Sequence, residues 1–144
     1  MTHADHVALI RAGTAGAGGT WADLGAGAGA FTLALASLLG DSALIYAVDR
    51  EAGALRNLER EVGALFRQVQ TVHADFMGDV QLPPLDGILM ANSLHFQSDA
   101  CSVLAHAGRW VKPGGRLIIV EYDIETPSPW VPFPVPWSRL PAAL

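Results

Sequence analysis

The chain has 144 residues, 51% of them hydrophobic and 16% charged, with a formal net charge of -5 at pH 7. That length holds one domain with a real core and excludes a second catalytic domain, and the acidic balance gives no general polyanion-binding surface, so no nucleic-acid partner is expected. Cys101 is the single cysteine, no basic segment followed by a long apolar stretch opens the chain, and the apolar runs are too short to span a bilayer; the expected setting is therefore cytoplasmic, with no internal disulfide and no membrane partner.

Apolar runs of strand length alternate with stretches of helical spacing, the pattern of a parallel sheet covered by helices on both faces. In chain order, a short helix over 4–12 and a loop over 13–19 lead into a strand over 20–24. Gly25 to Gly29 then turn into a helix over 31–39, which Gly40 closes. The second strand, 44–48, delivers Asp49 at its carboxyl end. Leu55, Leu58, Val62 and Leu65 mark the buried stripe of a helix, with charged residues between them. A third strand over 69–73 runs on to Asp75. Pro83 and Pro84 break the chain before 87–91, an apolar run that reads as a central strand. Ser98 or Asp99 caps a helix that runs to about Trp110. Lys112-Pro-Gly-Gly115 reads as a turn, and 116–122 as a fifth strand. The segment 126–144 holds six of the nine prolines (Pro127, Pro129, Pro132, Pro134, Pro136 and Pro141), which excludes a regular central strand there. The organisation is thus one core over 1–144 with a proline-rich C-terminal segment over 126–144.

The strongest local signal is Asp23-Leu-Gly-Ala-Gly-Ala-Gly29 between a strand and a helix, where absent side chains let a ligand approach the backbone. Gly25, Gly27 and Ala30 also satisfy the dinucleotide fingerprint, whose helix N-terminus receives a pyrophosphate. Asp49 stands twenty residues beyond Gly29 (49 − 29) and suits ribose hydroxyls in either kind of nucleotide cofactor. The plainer readings are a tight turn with close helix packing for the glycines and a helix cap for Asp49. His3 and His6 are too few and too near the start to form a metal site, and no metal is expected.

Five segments in order over about 20–122 resemble the class I (Rossmann-like) S-adenosylmethionine-dependent methyltransferases of small-molecule type. The glycine segment is similar to that family's first motif, Asp49 to its acidic second, and His73-Ala-Asp75-Phe76 to its adenine-side third. Asp86-Gly-Ile-Leu-Met-Ala-Asn92 is similar to its fourth, and Trp110-Val-Lys-Pro-Gly-Gly-Arg-Leu-Ile-Ile-Val120 to the turn and strand that close its cofactor half. The resemblance implies an α/β, doubly wound, mostly parallel sheet of strand order 3-2-1-4-5, without the last helix and strand hairpin of the usual seven-stranded sheet. It implies S-adenosyl-L-methionine as cofactor. Asp23 belongs to the cofactor motif; Gly25, Gly27 and Gly29 would lie against the methionine part, and Asp49 would hold the ribose. Asp75 would meet the adenine amino group, with Phe76 and Arg50 beside the base, and Asn92 would face the reacting end.

Methyl transfer from a sulfonium is a direct displacement, so the protein mainly orients its reactants. A base is needed only for an acceptor that arrives protonated. His95, three residues after Asn92, is the candidate, set against a plain loop histidine; Asn92 and His95 are thus the catalytic candidates. Glu121 and Tyr122 could line the acceptor pocket, while His106 reads as structural. The expected partner is a small-molecule acceptor, with a homodimer through an exposed sheet edge or the proline-rich tail as a further expectation. Two alternatives stay open: a cofactor-binding or interaction module without turnover, and a fragment of a nicotinamide-dependent oxidoreductase.

Overall fold

The computed structural model describes residues 1–63 and 66–140; Leu65 and Pro141, both used in the sequence reading, lie outside them. The chain runs α1 (His3–Thr14), β1 (Thr20–Leu24), α2 (Ala30–Leu39), β2 (Leu44–Asp49), α3 (Ala52–Val62), β3 (Val69–His73) and β4 (Leu85–Ala91). A single 3-10 turn (Leu94–Phe96), α4 (Ala100–Gly108) and β5 (Val111–Val120) follow. The five strands form one sheet of order β3-β2-β1-β4-β5, every neighbouring pair parallel, as the resemblance implies.

Side-chain alternation divides the sheet into two packed faces. Trp21 of β1, Ile45 of β2 and Leu89 of β4 point to the side of α1 and α2, where Ile10, Ala34 and Leu35 complete a buried cluster. Ala22, Leu24, Val48, Ile88 and Met90 point to the opposite side, onto Val103 and Leu104 of α4. Leu55, Leu58 and Val62 are buried along α3, as the stripe predicts, and pack with Ala47.

Several boundaries differ from expectation for physical reasons. α1 begins at His3 because Thr2 and Asp5 form a reciprocal capping box. α4 is capped by Asp99, whose carboxylate accepts the Ser102 amide at 3.1 Å, and it ends at Gly108, short of Trp110. The largest correction concerns 112–122. Leu85 stands opposite Val111 and Gly87 opposite Arg116, so residues 112–115 are extruded as a bulge inside β5 instead of forming a turn before it, with Gly114 at φ 79°. β5 ends at Val120, so Glu121 and Tyr122 lie beyond the ladder.

The proline-rich segment forms no strand over 126–140, in keeping with its composition. It nevertheless packs on the chain: Val131, Val135 and Leu140 are buried, and the Phe133 amide donates to the His95 carbonyl at 3.0 Å. β5 is an edge of the sheet, and no strand among the described residues pairs with its outer side. No helix among the described residues is long and apolar enough to cross a membrane.

The Trp21 ring is fully buried against Gly87 on the neighbouring strand, where a Cβ would stand 2.4 Å from the ring. Gly87→Ala should therefore destabilise the fold by about 1–3 kcal/mol through overpacking. Urea unfolding of the two proteins reads this directly, and equal midpoints would contradict it.

Candidate cofactor pocket

The carboxyl ends of the first four strands open onto one cavity of about 370 Å³, within the range of small-molecule sites. The glycine loop forms its floor. Gly25 and Ala26 donate their amides to the Val48 carbonyl at 2.8 and 3.0 Å, and Gly27 donates to Asp49 Oδ2 at 2.8 Å. Gly27 has φ 56°, and a Cβ placed on it would meet nothing within 4 Å, so this glycine leaves the cavity open where a side chain would intrude.

Asp49 ends β2, and both its oxygens are engaged: Oδ1 accepts the Glu51 amide at 2.8 Å while Oδ2 takes Gly27. The N-cap of α3 is Glu51, and no side chain caps that helix. Asp49 therefore joins two loops and does not cap α3 through its side chain. Each carboxylate oxygen keeps a further acceptor site. On the β3 side, Asp75 Oδ1 accepts the Met77 amide at 2.9 Å, which fixes the turn that carries Phe76. Phe76 is buried and reaches the cavity wall; Arg50 lines the same wall.

At the end of β4, Asn92 takes φ 53°, a left-handed conformation uncommon outside glycine, and donates its amide to the Val120 carbonyl at 2.7 Å. Ser93 follows, buried and on the wall. Glu121 Oε1 then accepts the amides of Leu94 at 2.8 Å and His95 at 3.2 Å, and its Oε2 pairs with His95 Nδ1 at 2.6 Å. The His95 side chain is only 3% exposed.

The structure thus brings Gly25, Gly27, Asp49, Arg50, Asp75, Phe76 and Asn92 to one cavity, and it places three other candidates elsewhere. Asp23 is buried beneath the loop, where it accepts the Thr32 hydroxyl at 2.7 Å. Gly29 faces α3, and a Cβ there would lie 2.1 Å from Leu58 Cδ1, so its lack of a side chain serves helix packing. His95 lies behind the wall against Glu121. The sequence reading missed Glu51, Ala74, Ser93, Phe96 and Gln97, which also line the cavity. Among the described residues no group of three or more His, Cys, Asp or Glu is placed to hold a metal.

The family described as a methyltransferase domain matches residues 22–115, and the chain belongs to that family. No curated protein matches the sequence. Among solved structures, the YcgJ protein from Bacillus subtilis is similar at 20% identity with a TM-score of 0.78, covering 98% of this chain and 66% of that one. A SAM-dependent methyltransferase from Aquifex aeolicus is similar at 26% identity, TM-score 0.64, over 76% of this chain and 60% of that one. The N-methyltransferase NodS from Bradyrhizobium japonicum, in complex with S-adenosyl-L-homocysteine, is similar at 19% identity, TM-score 0.69, over 81% of this chain and 59% of that one. The chain thus spans two thirds or less of the length of these structures.

Burial raises the Asp23 carboxyl to about 7, with the Thr32 hydroxyl opposing the rise and the charge of Asp49 adding to it. The folded form keeps the proton up to about 7, whereas the unfolded chain loses it near 3.8. This group's contribution to stability therefore falls as pH rises through that interval and stays low above it. Melting curves of Asp23→Asn and the parent should diverge in favour of the variant as pH climbs from about 4 to 7. A constant difference across that range would contradict the shift.

Proposed function

We propose that the chain is the S-adenosylmethionine-binding core of a methyltransferase that acts on a small-molecule acceptor. The observation that carries this reading is the position of Asp49 on the wall of the cavity, tied to the glycine loop, within the segment that matches the methyltransferase domain. The family match also leaves the nicotinamide-dependent oxidoreductase reading without support.

The residues suit this cofactor. The open side of Gly27 and the backbone of Gly25 would receive the methionine part, and the remaining acceptor sites of Asp49 the ribose hydroxyls. Asp75 would accept from the adenine amino group, with Phe76 and Arg50 on either side of the base, and Asn92 would border the reacting end. Asp23 and Gly29 act one layer behind, by holding Thr32 at the start of α2 and by letting α3 pack closely.

When bound, the cofactor supplies a methyl group on a sulfonium centre that departs as a thioether. The chain's own part is to orient that centre and to bring the acceptor to it. For an acceptor that arrives protonated, His95 is the proposed base. Its Nδ1 is held by Glu121 Oε2 at 2.6 Å. The rings of Phe96 and Tyr122 stand 4.3 and 6.0 Å from the imidazole and would border an acceptor that approaches it.

A calorimetric titration with S-adenosylhomocysteine should show saturable 1:1 binding, weakened by at least about a hundredfold in Asp49→Ala, which loses both the ribose contact and the tie to Gly27. No heat from the intact protein would overturn the cofactor reading. Incubation with labelled S-adenosylmethionine and a panel of small hydroxyl and amine compounds separates an enzyme from a binding module, since only the enzyme yields labelled product.

A further inference from the structure

We infer that Ser93 is a cofactor-recognising residue, its hydroxyl completed by the amino-acid end of bound S-adenosylmethionine; this rests on the cofactor reading above. Ser93 is 6% exposed, and its Oγ is one of two buried side-chain polar atoms without a hydrogen-bond partner among the described residues. The other, His106 Nε2, belongs to a ring packed edge-on against Trp110, away from the cavity. A buried hydroxyl without a partner forfeits its hydration for nothing, which is why such groups are rare in folded proteins and mark places where a partner is missing.

The position of Ser93 is imposed from both sides. Before it, Asn92 is held in its left-handed conformation by the bond to Val120. After it, the amides of Leu94 and His95 both end on Glu121 Oε1. Anchors on two flanking residues fix the serine backbone beside the glycine loop. Such a locally strained, over-determined turn is characteristic of functional sites.

The hydroxyl stands beside the glycine loop. A Cβ on Gly25 would lie 2.5 Å from Ser93 Cβ and 3.2 Å from its Oγ, so Gly25 must lack a side chain for the serine to approach. With the ribose at Asp49 and the adenine at Asp75, as proposed above, the Gly25 side is left for the ammonium and carboxylate of the methionine part. A hydroxyl can donate to the carboxylate or accept from the ammonium, and either bond involves an ion and is stronger than one between neutral groups.

The test compares two ligands. S-adenosylhomocysteine carries the amino-acid end, whereas 5′-methylthioadenosine keeps the nucleoside and the sulfur without it. Ser93→Ala should weaken S-adenosylhomocysteine by at least about tenfold in calorimetry and leave 5′-methylthioadenosine within about twofold. The ligand-free variant should melt at or above the parent temperature, because the change removes an unsatisfied group. Unchanged affinity for S-adenosylhomocysteine would overturn the assignment. So would equal weakening of both ligands with a lower melting temperature, the result expected of a merely structural serine. If the parent fails to bind S-adenosylhomocysteine, the cofactor reading falls and this assignment with it; if the parent binds and only the Ser93→Ala effect is absent, the cofactor reading stands.

Discussion

The carboxylate of Asp49 holds two loops at once, taking the Gly27 amide on one oxygen and the Glu51 amide on the other, both at 2.8 Å. Everything on the floor of the cavity depends on that junction. A glycine-rich loop has little intrinsic preference for one conformation, so it must be tied at several points to present a fixed surface. The ties come from a single neighbouring strand: Val48 accepts from Gly25 and Ala26, and the next residue, Asp49, takes Gly27. The parallel register that sets Leu24 beside Val48 is therefore also what shapes the ligand surface.

The opposite wall is built by the same logic, with one carboxylate serving several amides. Glu121 leaves the end of β5 and gathers Leu94 and His95, which closes the turn after β4. Because β4 and β5 are paired up to Ala91 and Val120, Glu121 is delivered directly beside this turn. Acidic groups thus organise both sides of the cavity. The carboxylates that line the cavity itself, Asp49, Glu51 and Asp75, suit a cofactor with a cationic sulfonium and an ammonium better than one that carries a pyrophosphate. The neutral state that burial favours for Asp23 limits the repulsion stored under the loop.

Much of this was legible in the chain. β1 and β3 fall where the apolar runs place them, β1 between Gly19 and Gly25. Gly25, Gly27, Asp49, Asp75 and Asn92 meet at one cavity because each lies at or just beyond the carboxyl end of a strand, a placement that periodicity alone conveys. What could not be read is the direction of side chains within an element. Asp23 shares its face of β1 with Trp21, toward α2, so it pairs with Thr32 and stays off the wall, whereas strand alternation gives the period but not the face. The 112–115 segment carries turn residues, yet the β4–β5 ladder resumes beyond it and makes it a bulge. Ser93 and the His95–Glu121 pair were invisible for a similar reason: the partners are 26 residues apart, and only strand pairing joins them.

The central claim is that the Asp49-anchored cavity receives S-adenosylmethionine with its methionine end toward Gly25. A crystal structure of the chain soaked with S-adenosylhomocysteine tests it most directly. The account predicts ribose hydroxyls on Asp49, the base between Phe76 and Arg50, and the amino-acid end beside Gly25 and Ser93. A ligand bound elsewhere, or lying in the reverse direction along the cavity, would contradict it.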